Sequence, residues 1–169
     1  MTSVLNFQNI DVSQIEFSQP RTNARGGQSI WLSHQGKKLI FQVPKGKCPF
    51  GMSKQQYDED APPKYDVSVS LGGSDKMNAY REWVTALDKH IQDSAVQNSE
   101  QWFGKKKSAG VIEELYKPMV VESKKSEYLP TQKFKIPFYD DKFTATVFDS
   151  ERNEVSPEVI TKGCEASFI

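Results

Sequence analysis

Two parts of the chain combine basic side chains with large aromatic rings at close spacing. The first set, on predicted strands and their loops, comprises Arg21, Arg25, Trp31, Lys37, Lys38, Lys45 and Lys47. The second set, in and after a predicted helical segment, comprises Trp102, Phe103, Lys105, Lys106, Lys107, Lys133 and Lys135. Cations neutralise phosphates and flat rings stack on unpaired bases, so this mixture suits single-stranded nucleic acid. These residues are therefore the predicted nucleic-acid contacts.

Each aromatic ring also has a packing interpretation. Trp31 lies on the opposite side of an alternating segment from Ile30 and Leu32, which predicts an exposed ring. Trp102 and Phe103 precede three lysines, a pattern equally typical of a hydrophobic contact that packs a helical segment onto a barrel. Lysine runs are also common on ordinary solvated surfaces, so both interpretations stay open for each cluster.

Signatures of catalysis and metal binding are sparse. His34 falls in a predicted turn and His90 on the polar side of a predicted helix, and the chain has no His-Glu-x-x-His or Cys-x-x-Cys spacing. Cys48 and Cys164 are too few for a disulfide scaffold or a four-ligand zinc site, so we expect two reduced thiols. The sequence therefore predicts no catalytic residue, no metal site and no cofactor, in a protein that is not an enzyme.

Adjacent carboxylates provide the enzymatic alternative. Asp140 and Asp141 are neighbours in a predicted turn, and residues 58–60 form a second acidic run. A catalytic metal site usually gathers carboxylates from several elements, whereas neighbouring ones in a turn usually face solvent. A metal-dependent nuclease that uses Asp140 or Asp141 stays open as a third hypothesis.

The charges are unevenly distributed, although Lys+Arg 22 and Asp+Glu 22 give a formal net charge of zero. Residues 1–48 carry six basic and two acidic side chains, and residues 105–135 carry eight lysines and four glutamates, a net charge of +4 in each block. Residues 49–74, 75–104 and 136–169 carry −2, −2 and −4. Local charge within a Debye length, about 8–10 Å, decides whether a polyanion binds, so a neutral total does not exclude nucleic acid.

Hydrophobic periodicity predicts strands, then helices, then further strands. Met77, Tyr80, Val84, Leu87 and Ile91 recur at helical spacing, which predicts one long helix over about 75–92. Shorter helices are predicted at 98–103 and at 108–117. Alternating apolar residues predict strands at 14–19, 28–34, 38–43, 65–71, 119–122, 132–138, 143–148 and 163–169.

This order of elements predicts an α+β, mainly β fold, in which a small antiparallel barrel or sandwich carries a helical insertion at 75–117. A length of 169 residues with ten Phe, six Tyr and three Trp indicates a single domain, 1–169, that begins with an arm at 1–13. No apolar run approaches the ~20 residues of a membrane helix, and the amino end lacks a signal-peptide pattern. We therefore expect no membrane contact and no secretion.

Four short patterns together resemble a known family. They are Pro44-x4-Pro49-Phe50-Gly51-x-Ser53, Trp102-Phe103-Gly104-Lys105-Lys106-x-Ser108, Val111-Ile112-x-x-Leu115-Tyr116-x-Pro118, and Lys135-Ile136-Pro137-Phe138 with the segment from Phe143 to Asp149. The family is the single-stranded-DNA-binding proteins of large nucleocytoplasmic DNA viruses and their algal-virus relatives, which are similar to phage replication binding proteins. The resemblance covers roughly residues 14–169.

The resemblance implies an OB-fold-like antiparallel barrel with extra elements and non-sequence-specific coating of single-stranded DNA in viral DNA replication, recombination and repair. It also implies a homo-oligomer, replication proteins as partners, and viral replication sites in the host cytoplasm or nucleus. Phage members often end in an acidic tail with a terminal aromatic residue, whereas this chain ends at Ser167-Phe168-Ile169 within a predicted strand. Either the tail is absent or the chain is truncated within its last strands.

A protein-binding role is the main alternative. A virion structural or adaptor β-domain would use exposed rings to contact another protein, and it would bury Trp31 in an intersubunit contact. The two hypotheses differ in whether nucleic acid quenches tryptophan fluorescence.

Overall fold

The structure is a computed structural model that describes residues 4–59 and 61–169, so residues 1–3 of the predicted arm and Asp60 of the acidic run lie outside the described residues. The described residues form a mixed α+β fold with many short strands and three α-helices. The first ten strands are β1 Leu5–Asn6, β2 Ile15–Phe17, β3 Arg21–Thr22, β4 Gln28–Ser29, β5 Leu32–His34, β6 Lys37–Lys38, β7 Phe41–Gln42, β8 Gly46–Lys47, β9 Met52–Gln55 and β10 Lys64–Ser70. The remaining strands are β11 Val120–Val121, β12 Thr131–Ile136, β13 Phe138–Tyr139, β14 Lys142–Phe143, β15 Val147–Phe148, β16 Glu154–Val155 and β17 Glu165–Ala166.

The three helices lie in the middle of the chain, where the periodicity predicts them. They are α1 Asp75–Gln97, α2 Ser99–Phe103 and α3 Ala109–Leu115. The Ser74 hydroxyl accepts a 3.2 Å hydrogen bond from the Met77 amide and caps the start of α1. Gly104, with a φ of 69°, ends α2 in the left-handed conformation. α1 continues to Gln97, beyond the predicted end, because its last turns contribute Ala95 and Val96 to a small apolar core.

The described chain divides into two compact units, each built from separate stretches of sequence. The first unit contains the described residues up to Val43 together with 79–119 and 168–169. The second unit contains the described residues of 44–78 and 120–167.

The first unit packs short strands and residues of the predicted arm against α1. β2, β5 and β6 form an antiparallel sheet, and β1 pairs in parallel with β7. Ile10, Ile15 and Leu87 are buried together. The Trp83 indole N–H, at the edge of this core, donates a 2.9 Å hydrogen bond to the Ile10 carbonyl. Part of the predicted arm, residues 4–13, is therefore packed into this unit.

The second unit is built on a four-stranded antiparallel sheet in the order β11–β12–β10–β9. Val67 and Val69 are fully buried on one side of β10, and Leu71, which follows the last residue of the strand, is also fully buried, as their alternation predicts. β8 crosses this core at Gly46, where a Cβ would lie 2.5 Å from Met77 Cε and 2.6 Å from Val69 Cγ1. A side chain at this position would have to displace the fully buried Met77 and Val69 side chains, so the close approach favours glycine.

The α+β class is confirmed, and the closed barrel stays a prediction. The largest sheet of the described residues has four strands, and no sheet among them closes on itself. The predicted strands at 28–34, 38–43 and 143–148 are each interrupted into shorter pieces. In addition, no helix within the described part of the chain has both the length and the apolar character needed to cross a membrane.

Candidate nucleic-acid interface

Trp31 is an exposed ring on a fixed backbone in the first unit. Its amide donates to the Ser18 hydroxyl and its carbonyl accepts from the Ser18 amide, both at 2.9 Å. The ring is 51% exposed, and Lys38 Nζ lies 5.4 Å from its centroid. Ile30 and Leu32, its neighbours in sequence, pack against apolar cores of the same unit. The alternation therefore predicts the exposure of Trp31 correctly.

Lys37 and Lys38 lie on β6, opposite His34 and Ser33 of β5. Gln35 and Gly36 form the connecting turn with φ angles of 52° and 71°, the left-handed values that a two-residue hairpin needs. Both lysines are exposed. The tight hairpin is what brings Lys38 to the Trp31 ring.

The two arginines belong to the neighbouring β3–β4 hairpin. Arg21 lies opposite Ser29, and Arg25 lies in the loop. The Asn23 side-chain oxygen accepts from the amides of Arg25 at 3.0 Å and Gly27 at 2.9 Å, which holds the loop closed. Both arginines are exposed, so this hairpin presents two permanent cations six and ten residues before Trp31 in sequence.

Trp102 and Phe103 separate into one buried and one exposed ring. Trp102 is 7% exposed and packs against Phe17, with the two ring centroids 5.3 Å apart. A ring this buried cannot accept a base on its face, so the packing interpretation describes Trp102, and this residue leaves the candidate interface. Phe103 is 45% exposed, with Lys107 Nζ 5.7 Å from its centroid.

Lys105, Lys106 and Lys107 occupy the short connection between α2 and α3. Lys105 and Lys106 are exposed and Lys107 is half-buried. The Lys107 amide donates a 3.1 Å hydrogen bond to the Ser99 hydroxyl, which ties this basic connection to the first turn of α2. This connection therefore carries three consecutive cations shortly after Phe103 in sequence, of which Lys107 lies beside the ring.

The remaining predicted cations lie in the second unit, and two of them have acidic partners. Lys45 Nζ lies 2.8 Å from Glu165, and this hydrogen bond together with the Lys45 charge lowers the pKa of the Glu165 carboxyl. Lys133 Nζ lies 3.4 Å from the nearly buried Asp66 carboxylate. Within residues 4–59 and 61–169, Lys45 and Lys133 are the only predicted cations in ion pairs, whereas Lys47 and Lys135 are exposed without one.

Two further lysine–aromatic pairs in the second unit were not among the predicted contacts. Lys64 Nζ lies 5.5 Å from the ring centroid of Tyr57, and Lys125 Nζ lies 5.9 Å from that of Tyr128. The two rings are 80% and 61% exposed. The three-residue spacing of Lys125 and Tyr128 was a usable signal, whereas Lys64 reaches Tyr57 only after the chain turns from β9 into β10.

The carboxylates of the nuclease hypothesis form a turn. Asp140 and Asp141 connect β13 to β14 with φ angles of 48° and 58°, and both are exposed. Among the described residues, no group of three or more His, Cys, Asp or Glu side chains is placed to hold a metal ion. His34 is buried on β5, and a His90 ring nitrogen lies 3.1 Å from the Ile15 carbonyl oxygen, so both histidines take part in packing.

Comparison of the chain with protein-family models, with curated protein sequences and with solved structures found no match.

Proposed function

We propose that this protein binds single-stranded DNA without sequence specificity. The observation that carries the proposal is a repeated pair, an exposed aromatic ring with a lysine ammonium above it. The four pairs are Trp31–Lys38, Phe103–Lys107, Tyr57–Lys64 and Tyr128–Lys125, with distances of 5.4 to 5.9 Å from ammonium to ring centroid. Two of the pairs lie in each compact unit.

Each pair joins the two groups that an unpaired nucleotide needs. A base stacks on an exposed ring with about 1–3 kcal/mol per base, and the adjacent ammonium is within reach of the phosphate of the same or the next nucleotide. The cation–π contact holds the lysine near the ring before DNA binds, which reduces the conformational entropy lost on binding. Stacking of this kind accepts any base, because every base has a flat face.

The geometry favours single strands over duplexes. In duplex DNA the base faces are stacked on each other and unavailable to protein rings, so only the phosphate contacts would remain. The first unit also contains the exposed Arg21, Arg25, Lys105 and Lys106, and its lysines have no ion-pair partner among the described residues except Lys89, which pairs with Asp93. We therefore expect the electrostatic contribution of phosphate contacts to binding to be strongest in the first unit.

The resemblance supports a more detailed proposal about the biological setting. On that basis the chain is a divergent OB-type domain, with its helices inserted between β10 and β11, that coats single strands during viral DNA replication, recombination and repair. It would act as a homo-oligomer with replication proteins, in the host cytoplasm or nucleus. An experimental structure with bound oligonucleotide would test the OB-type assignment, which a strand order incompatible with a five-stranded Greek-key barrel would overturn.

A direct binding assay tests the proposed activity. Fluorescence anisotropy of a labelled single strand of mixed sequence, at low salt and over a salt series, should show binding that weakens steeply with salt. The same strand annealed to its complement is the matched control and should bind more weakly. Absence of binding at low salt, or equal affinity for strand and duplex, would contradict the proposal.

The second candidate function is contact with another protein through exposed rings that form no lysine–ring pair among the described residues. Phe50, Tyr139 and Phe148 in the second unit are 69%, 68% and 60% exposed. Tryptophan fluorescence separates the candidates, since Trp31 is the most exposed tryptophan and should be quenched when a single strand binds. An unchanged emission spectrum at saturating DNA would favour the protein-binding role.

A further inference from the structure

Cys48 and Cys164 lie opposite each other where two strands of the second unit meet. β8 and β17 are antiparallel, with Lys47 opposite Glu165. One further step along this register places Cys48 opposite Cys164, and the Cys48 amide donates a 2.8 Å hydrogen bond to the Cys164 carbonyl. Opposed residues of an antiparallel pair have Cα atoms about 4.5–5.5 Å apart, a separation that a disulfide spans.

The two sulfurs differ in exposure and reactivity. Both thiols are free; Cys48 is fully buried and Cys164 is half-buried. Directly opposed residues of an antiparallel pair project their side chains from the same face, so the register makes the two thiols neighbours. Burial first, and the neighbouring Cys164 second, raise the pKa of Cys48 to about 12. The thiolate is the reactive form, and the raised pKa keeps Cys48 protonated. The more exposed Cys164 is therefore the sulfur that reacts first with an oxidant.

We propose that Cys48 and Cys164 form a redox modification site that closes to an intramolecular disulfide when the protein meets a peroxide. In the first step the Cys164 thiolate attacks hydrogen peroxide; an S–O bond forms, the O–O bond breaks, and hydroxide leaves and takes up a proton as water. In the second step the Cys48 sulfur attacks the Cys164 sulfenic acid; the S–S bond forms, the S–O bond breaks, and the thiol proton leaves with hydroxide as water. Two thiols are oxidised and one peroxide is reduced.

The bond would join two strands that otherwise pair over two residues each. It would fix Lys47 on β8 and Glu165 on β17, the neighbours of the two cysteines in sequence. A thiol reductant reverses the step by thiol–disulfide exchange, so the site responds to redox conditions in both directions. This inference is independent of the proposed DNA binding.

Mass spectrometry of the full chain tests the proposal. The reduced protein is diluted, treated with hydrogen peroxide, denatured, and alkylated with a maleimide. We expect the intact mass to fall by two hydrogen atoms with loss of both maleimide adducts, and dithiothreitol to restore them. Wild-type protein that keeps both thiols alkylatable, links to a second chain, or carries Cys164 as sulfinic acid beside an alkylatable Cys48 would overturn the proposal.

Single variants test the assigned order of attack. In Cys48→Ala, we expect a Cys164 sulfenic acid that dimedone captures, because the resolving thiol is missing. In Cys164→Ala, we expect Cys48 to stay alkylatable after peroxide, and its oxidation at the wild-type rate would overturn the order. The intact mass of the peroxide-treated wild-type protein shows whether the disulfide forms. This result does not depend on whether either variant folds.

Discussion

The Tyr116 hydroxyl donates a 2.6 Å hydrogen bond to Oδ1 of Asp88, a residue that is only 5% exposed. The two oxygens of the same carboxylate accept from the Met119 amide at 3.1 and 3.0 Å. One buried charge in α1 therefore holds the chain that follows α3. Its stabilisation comes from charge-assisted hydrogen bonds that offset the cost of removing the carboxylate from water.

Replacing Asp88 should destabilise the protein because two half-buried donors lose their acceptor. We expect Asp88→Ala to lower the free energy of unfolding by about 3 kcal/mol, since hydrogen bonds to charged groups are worth about 1.5–3 kcal/mol and unsatisfied donors add to the loss. Urea denaturation monitored by circular dichroism measures the change. Asp93→Ala is the control, because Asp93 is an exposed partner of Lys89 on the same helix and should cost less than about 1 kcal/mol. Equal effects of the two substitutions would contradict this role of Asp88.

The same pair predicts a loss of stability at alkaline pH. Burial first, and the hydrogen bond to Asp88 second, raise the pKa of Tyr116 above its ordinary value of 10.0. The unfolded chain releases this proton at a lower pH than the folded chain does, so the contribution of Tyr116 is complete below about pH 10 and is lost as pH rises further. The free energy of unfolding should fall less between pH 9 and 11 in Tyr116→Phe than in the wild-type protein. Parallel pH profiles of the two proteins would rule out the linkage.

Gly51 and Gly104 are a matched pair that separates backbone strain from steric clash. Both have a left-handed φ, 70° and 69°. A Cβ at Gly51 would lie 2.7 Å from the Lys162 amide nitrogen, whereas a Cβ at Gly104 would meet nothing within 4 Å. We expect Gly104→Ala to cost about 1–2 kcal/mol from the left-handed conformation alone, and Gly51→Ala to cost clearly more. Urea unfolding of the two variants would show the difference, and similar losses would show that the backbone at residues 160–162 moves aside.

Local periodicity predicts the helices and the central strands of the second unit, but not the pairings between distant segments. The apolar stripe from Met77 to Ile91 marks α1, and the alternation of Val67 and Val69 marks β10. β9 was missed because Met52–Gln55 is mostly polar. An edge strand is held by backbone hydrogen bonds to one neighbour and needs few apolar side chains. The parallel pairing of β1 with β7 joins residues that are far apart in sequence, and no local pattern predicts it.

The candidate interface was predictable only where side chains alternate along a strand. Trp31 alternates with the apolar Ile30 and Leu32 along its segment, and this pattern predicts its exposure correctly. Trp102 and Phe103 are adjacent on a short helix, and the burial of Trp102 depends on Phe17, 85 positions earlier in the sequence. Lys45 and Lys133 carry the expected charge, but their pairing with Glu165 and Asp66 depends on strand register. Residue type predicts which groups could bind DNA, whereas tertiary contacts decide which are available.

Trp31 should be a main stacking residue if the proposed activity is correct. We expect Trp31→Ala to weaken single-strand binding by roughly 5- to 150-fold, which corresponds to the loss of about 1–3 kcal/mol from one stacked base. Trp31→Phe should retain most of the affinity while losing most of the DNA-induced fluorescence quenching. Fluorescence anisotropy measures the affinity.

Phe148→Ala is the control for Trp31, because Phe148 is a similarly exposed ring, 60% against 51%, that does not form a lysine–ring pair within the described chain. Its affinity should stay within about twofold of the wild-type value, since it loses apolar area but no stacked base. A loss equal to that of Trp31→Ala would indicate that general surface hydrophobicity drives binding.

The basic connection between α2 and α3 should contribute to the salt dependence of binding. Replacing Lys105, Lys106 and Lys107 by Ala removes three consecutive cations, including the one beside the Phe103 ring. Each phosphate contact to a single strand contributes about −0.7 to the slope of log K against log salt, so the slope should become less steep by about 2. The control replaces three exposed lysines outside the candidate interface with the same change in net charge, namely Lys76, Lys142 and Lys162. If both triple variants shift the slope equally, total charge governs binding and the Lys105–Lys107 segment is not a local contact.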